Sequence, residues 1–208
     1  MANEKFSIKE AIAYGWGSFK NQVPFFIGLI LVILLITVLP DIVIEKLFEP
    51  RTAPFVILKI IVRLIGLMMG MVATRVSLDI HDDGKTDLSR LGELLSYIPY
   101  YFGGKILYGL IVLGGMVLLI VPGLIWAYMF LYVGYIIIDK GASPAAALKE
   151  SREITRGYKM DLFLFSLVIA LINLIGAICL FVGLFVTIPM TLMASAYVYR
   201  RLNPRAAA

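Results

Sequence analysis

The chain has 208 residues, of which 61% are hydrophobic and 16% charged, with a mean hydropathy of +0.92 and a net charge of +5. An ordinary soluble domain carries about a quarter charged residues, so this composition excludes a soluble globule and implies an integral membrane protein. The single cysteine, Cys179 in an apolar run, excludes an intramolecular disulfide and offers no thiolate cluster for a metal.

The N-terminal ten residues lack the short apolar core and small-residue cleavage site of a signal peptide, so the first apolar span must itself direct insertion. Ser7 and Glu10 have capping-box spacing. Ile8, Ala11, Ile12, Gly15, Trp16 and Phe19 then recur at helical period opposite Lys9, Glu10 and Lys20. This predicts an amphipathic helix over 7–21, lying in the membrane interface with Trp16 at headgroup depth. A first span over 24–39 follows, kinked or ended at Pro40-Asp41, and a polar turn around 45–54 brings the chain back.

The second span, 54–80, contains Lys59, Arg63, Arg75 and Asp79, and each mid-membrane charge costs at least ~2.5–3.5 kcal/mol. Lys59 is expected to snorkel to the outer interface and Arg63 to pair with Asp41 or Glu45, the alternative being an anion or lipid-phosphate contact by Arg63. Arg75 and Asp79, four apart, predict a local ion pair. Gly66-x-x-x-Gly70 predicts a face that another helix approaches closely. Asp79-x-His81-x-Asp83-Gly84-x-x-Asp87 begins like a calcium loop, but its twelfth position is Arg90 instead of the bidentate Glu, so a solvated, strongly turning loop is expected. A second amphipathic helix, 88–98, is expected to end near Pro99, before an aromatic belt of Tyr97, Tyr100, Tyr101 and Phe102.

Two apolar hairpins complete the chain: 102–120 with 122–138, and 162–182 with 184–200. Leu113-Gly114-Gly115 before Val121-Pro122-Gly123 is echoed by Ile175-Gly176-Ala177 before Val182-Gly183, a weak internal duplication. Several of these runs fall below the ~20 apolar residues of a straight span, so re-entrant hairpins are the alternative reading. Thr187, Pro189, Thr191, Ser195 and Ala196 place the last run inside the bundle. Asn173, midway along the fifth, reads as an interhelical hydrogen bond in preference to a transport site. Between the hairpins, Ser143, Pro144 and Gly157 cap a surface helix over 144–156. Its packing face is Ala147, Leu148, Ser151, Ile154, Thr155 and Tyr158, and its water face holds Lys149, Glu150, Arg152, Glu153, Arg156 and Lys159.

Several pieces in this order resemble a family of polytopic bacterial and archaeal membrane proteins related to the membrane domain fused to some glycerophosphodiester phosphodiesterases. They are Gly15-Trp16 with Phe19-Lys20, Val121-Pro122-Gly123, Asp139 after Ile136-Ile137-Ile138, Ala147-Leu148-Lys149-Glu150-Ser151, Thr155-Arg156-Gly157, and Pro189 with Tyr197. The resemblance covers most of the chain and implies a helical membrane bundle. The family has no established activity, so no catalytic residues carry over.

The expected architecture is an all-α integral membrane bundle of six transmembrane helices, with amphipathic interfacial helices on the cytoplasmic side. It is multi-pass in the cytoplasmic (inner) membrane. Of 19 Lys and Arg, 15 fall in the N-terminal, second, fourth and C-terminal connectors, which puts both termini in the cytoplasm. One histidine, no Gly-rich phosphate loop and no zinc-ligand spacing leave no catalytic residues, cofactor or metal to assign. These 208 residues are not expected to include the phosphodiesterase domain. The favoured reading is a non-catalytic scaffold or accessory protein engaging lipids, anionic phospholipids among them, or partner membrane proteins, self-association included, with no nucleic acid. Its contact residues would be Lys149, Arg152, Arg156 and Lys159. A small-solute or lipid transporter and an intramembrane enzyme are the alternatives, for which Lys59, Arg63 and Asn173 are the intramembrane polar candidates.

Overall fold

The computed structural model describes residues 6–86, 89–179 and 181–204. Among them are helices α1 (Ile8–Asn21), α2 (Val23–Leu47), α3 (Ala53–Asp83), α4 (Ser89–Leu118), α5 (Ile120–Met129), α6 (Val133–Lys140), α7 (Pro144–Ile154), α8 (Lys159–Ile178) and α9 (Leu184–Leu202), and no strand. Among the described residues, five segments are long and apolar enough to cross a membrane: Val23–Leu47, Ala53–Asp83, Arg90–Leu118, Gly123–Lys140 and Lys159–Ile178. They turn large apolar side chains outward. Leu35, Val117 and Ile178 are 63%, 86% and 72% exposed, a surface that suits hydrocarbon and not water. The expected all-α bundle is present with five such segments. α9 forms where the sixth was expected, but Thr187, Thr191, Ser195 and the Arg200-Arg201 pair keep it out of that apolar set.

Helices α2 and α3, α4 and α5, and α8 and α9 pair as three hairpins. The hairpins meet at one end, where α6, α7 and the C-terminal parts of α3 and α9 converge. Here Leu78, Tyr132, Ile136, Ile137, Ile138, Leu162, Phe165 and Tyr199 are almost fully buried. The other ends are exposed, so most of the packing energy sits beside the charged connectors. The two C-terminal hairpins close in the same way. A Cβ on Gly115 would come within 2.8 Å of the Gly123 Cα, and one on Gly183 within 2.7 Å of the Gly176 Cα. Only glycine lets the two backbones lie that near, and both pairs belong to the stretches that echo each other in sequence.

Local capping follows the residue pattern. The Ser7 hydroxyl accepts from the Glu10 N–H and the Ser143 hydroxyl from the Ala146 N–H, each at 3.4 Å. Gly157 takes φ 91° just beyond α7. The glutamate of the first capping box turns away, since its carboxylate accepts from the Tyr197 hydroxyl at 3.3 Å.

Four expectations are corrected. Pro99 does not end a helix: α4 passes through it, merging the segments expected at 88–98 and 102–120. Proline deletes one ladder bond, but Leu94 and Tyr101 on either side are buried in the same core and hold the axis. Pro40 likewise lies inside α2, where Asp41 and Glu45 share a face and both close on Lys59. The Gly66/Gly70 face is not a close crossing: Cβ atoms there would sit 3.9 Å from Thr37 and 3.7 Å from Tyr101, ordinary contact distances. The tight crossing is instead α1 on α9, where a Cβ on Gly15 would meet the Met190 carbonyl oxygen at 2.3 Å. Finally, Asp79–Asp83 are helical and the turn begins only at Gly84, with φ 73°. Asp87 of the calcium-like pattern lies outside the described residues.

Candidate functional site

The convergent end is held by charges that the sequence scatters widely. Arg200 of α9 forks between two carboxylates: Nε and Nη2 donate to Asp82 at 2.9 and 2.7 Å, while Nη1 and Nη2 donate to Asp139 at 2.6 and 2.7 Å. The Tyr199 hydroxyl donates to Asp139 at 2.9 Å. The side chains of Arg200, Asp82 and Asp139 are only 6%, 10% and 3% exposed, so α3, α6 and α9 are locked by a desolvated, hydrogen-bonded ion cluster. Arg75 and Asp79 form the predicted i,i+4 pair at 3.0 Å, and Arg90, the residue that spoils the calcium pattern, reaches Asp79 and Asp83 at 3.5 and 3.1 Å. Lys140 pairs with Glu150 of α7, which also accepts from the Asn203 amide. On α1, Tyr14 stacks on Tyr197. Burial, partly offset by a hydrogen bond from Ser18, pushes its phenol pKa up.

This frame positions α7 over the end of α5. The last carbonyls of a helix lack intrahelical donors, and here side chains supply them: Tyr108 donates to the Ala127 carbonyl, and Ser151 donates to the Met129 carbonyl at 3.0 Å. The Thr155 hydroxyl lies 3.0 Å from the same Met129 oxygen and 2.8 Å from the Ser151 carbonyl. Ala147, Ser151 and Thr155 have no exposed surface. The face expected to pack is therefore seated, and the opposite face is turned out.

On that outer side Lys149 and Arg152 of α7, Arg156 in the turn beyond it and Lys159 at the start of α8 come together with Glu153 and Met129 around one surface pocket of about 420 Å³. Arg75, Arg90, Lys140 and Arg200 each close on a carboxylate. Among the described residues no acidic side chain pairs with any of the four that line this pocket. Four cations against a single carboxylate make a site with unspent positive charge. Lys159 also lines a second, apolar groove of about 240 Å³ between α5 and α8, formed by Leu124, Ile125, Tyr128, Met160 and Phe163. The rings of Tyr128 and Phe163 meet edge to face at 5.5 Å.

The intramembrane candidates are not gathered into a site. Arg63 reaches Asp41 as expected, at 3.8 Å with its side chain 78% exposed. Lys59, expected to snorkel to the outer interface, holds the nearer contacts, with Asp41 at 2.8 Å and Glu45 at 2.7 Å. The reason is reach: Lys59 lies opposite both carboxylates, whereas Arg63, one turn further on, borders an open cleft of about 500 Å³ between α2 and α3. The Asn173 amide donates to the Thr191 hydroxyl at 3.2 Å, joining α8 to α9. A larger cavity of about 720 Å³ beside Ser18, Gln22, Gly84 and Lys85 carries one cation, and the Gln22 amide there is engaged by the Gly84 carbonyl.

Sequence reasoning found the four pocket cations and missed the frame beneath them. Asp139 directly after Ile136-Ile137-Ile138 was the available signal of a charge at depth. Comparison with family models, curated proteins and solved structures gave no match. The family resemblance therefore rests on the residues that carry it.

A direct test of the α2–α3 pairing follows. Lys59→Leu takes the nearer cation from Asp41 and Glu45 and should lower thermal stability in detergent by clearly more than Arg63→Leu does. Equal losses, measured by tryptophan fluorescence on heating, would mean that Arg63 carries as much of the pairing as Lys59.

Proposed function

We propose that this chain is a non-catalytic, multi-pass protein of the cytoplasmic membrane that holds anionic lipid headgroups on its cytoplasmic face, through Lys149, Arg152, Arg156 and Lys159. The observation that carries this reading is the gathering of those four cations around one pocket where α8 begins, with Glu153 the one carboxylate among its lining residues. Basic residues beside a membrane each gain about 1 kcal/mol from an anionic leaflet. Lys149 and Arg152 stand on the capped α7, Arg156 in the turn directly after it and Lys159 at the start of α8, so the cations are held by ordered elements at fixed places and not scattered along a loop.

The topology that supports this is six crossings with both termini cytoplasmic. The Glu10–Tyr197 bond brings α1 and the end of α9 together at the convergent end, which favours an even number of crossings and makes α9 the sixth, screened from lipid on its Arg200 face. The connectors richest in Lys and Arg lie at this end, as orientation by positive charge requires.

Changing all four residues to Gln should leave insertion and folding intact, because Arg75, Arg90 and Arg200 still anchor the frame, but should reduce co-purifying anionic lipid to the background set by zwitterionic lipid. Lipid extraction and mass spectrometry of the purified variant decide it. Anionic lipid retained at the level of the unaltered protein would mean that these charges serve orientation alone.

A further inference from the structure

We infer that the occupant is an intact anionic phospholipid, with its phosphate in the basic pocket and one acyl chain lying in the groove lined by Leu124, Ile125, Tyr128, Met160 and Phe163; this rests on the headgroup reading above. A four-cation pocket by itself would accept a soluble phosphate, an acidic peptide or a lipid. What selects among them is Lys159, which lines both the pocket and the apolar groove. A lysine that borders both walls can lay its aliphatic stem against hydrocarbon and turn its ammonium to an anion, as lysine does where apolar and polar surroundings meet.

The ligand that fits both walls has its negative charge and its hydrocarbon joined within one side-chain length, as a phospholipid does at its glycerol. A soluble anion leaves the groove unused, and an acidic helix would set charge against Phe163 and Met160. The groove lies between α8 and the part of α5 that belongs to Gly123–Lys140, and both Gly123–Lys140 and Lys159–Ile178 are apolar membrane-length segments, so the chain enters from the bilayer without leaving it. Lipid tails are as apolar as the groove, so burial supplies no driving force. The headgroup supplies the affinity, while the Tyr128–Phe163 pair gives the chain a shaped wall and a fixed direction.

Native mass spectrometry of the purified protein with long-chain phosphatidylglycerol, its dihexanoyl analogue, inorganic pyrophosphate and phosphatidylcholine separates these cases. Long-chain phosphatidylglycerol should be retained at least about tenfold better than phosphatidylcholine of the same chains, from the headgroup charges. Ile125→Trp, which fills the groove, should lower its retention severalfold while leaving the short-chain analogue unchanged. A phosphatidylglycerol bearing a diazirine in its acyl chain, applied to the unaltered protein, should label peptides containing Leu124–Tyr128 or Met160–Phe163, and this readout needs no variant to fold. If pyrophosphate competes as well as the long-chain lipid and labelling misses both peptides, the groove holds no chain and the inference is overturned, while the headgroup reading survives. If the quadruple Gln variant still prefers phosphatidylglycerol, the headgroup reading fails and this inference with it.

Discussion

Arg200→Met should cost about 3–5 kcal/mol of folding stability, the penalty for removing one partner from a buried ion pair, measured by denaturation in mixed micelles. Arg200 answers both Asp82 and Asp139 through four donor contacts, so its loss takes a full positive charge from between two nearly buried carboxylates, leaving His81 beside Asp82 and the Tyr199 hydroxyl on Asp139. Arg200→Lys should recover only part of the loss, since an ammonium keeps the charge but cannot present the planar fork that serves two carboxylates at once. The triple change Arg200→Met, Asp82→Asn, Asp139→Asn should be milder than Arg200→Met alone, because no uncompensated charge remains. If the single variant were as stable as the unaltered protein, the cluster would be incidental to the convergence of α3, α6 and α9, and the platform on α7 would need another foundation.

How far the sequence anticipates this arrangement depends on the range of the interactions. Features written within a few residues were readable: the Ser7 and Ser143 caps, the Gly157 turn, the two faces of α7 and the Arg75–Asp79 pair all act over one or two helical turns. Arg200 reaches partners 118 and 61 residues away. Nothing in its own neighbourhood distinguishes it from Arg201, which is exposed and lies over the Tyr197 ring. The same holds for the prolines. Local rules allow Pro40 or Pro99 to stop a helix, and only the tertiary partners of the flanking turns, Lys59 in one case and the core around Leu94 and Tyr101 in the other, carry the helix through. The glycines divide similarly. Gly66 and Gly70 have the spacing of a close helix crossing but face open contact, whereas Gly15 and the Gly115–Gly123 and Gly176–Gly183 pairs, which lack that spacing, are where backbones meet. Of the candidate site, the four cations were legible from helical periodicity. Their convergence on Met129, and the apolar groove behind Lys159, depend on where α5 stops and so could not be read from α7.

The seating of α7 on α5 predicts the second large effect, which joins stability to function. Replacing Ser151 by Ala and Thr155 by Val keeps the size and helical register of the packing face but removes both hydroxyls from the Met129 carbonyl, an acceptor at a helix end with no backbone donor of its own. A buried group left without its partner costs about 1–3 kcal/mol, and the denaturation midpoint in micelles should fall accordingly. The single variants should each cost less than the double, since either hydroxyl can still satisfy the same oxygen. Because the carbonyl is then free to seek water, α7 should lift from α5, separating Arg152 and Arg156 from the rim at Met129 while leaving every positive charge in the chain. Retention of anionic lipid should therefore fall although the net charge is unchanged, which a purely electrostatic attraction to the leaflet would not produce. Lipid content equal to that of the unaltered protein, in a double variant that is measurably less stable, would show that the charges act without the pocket that α7 builds.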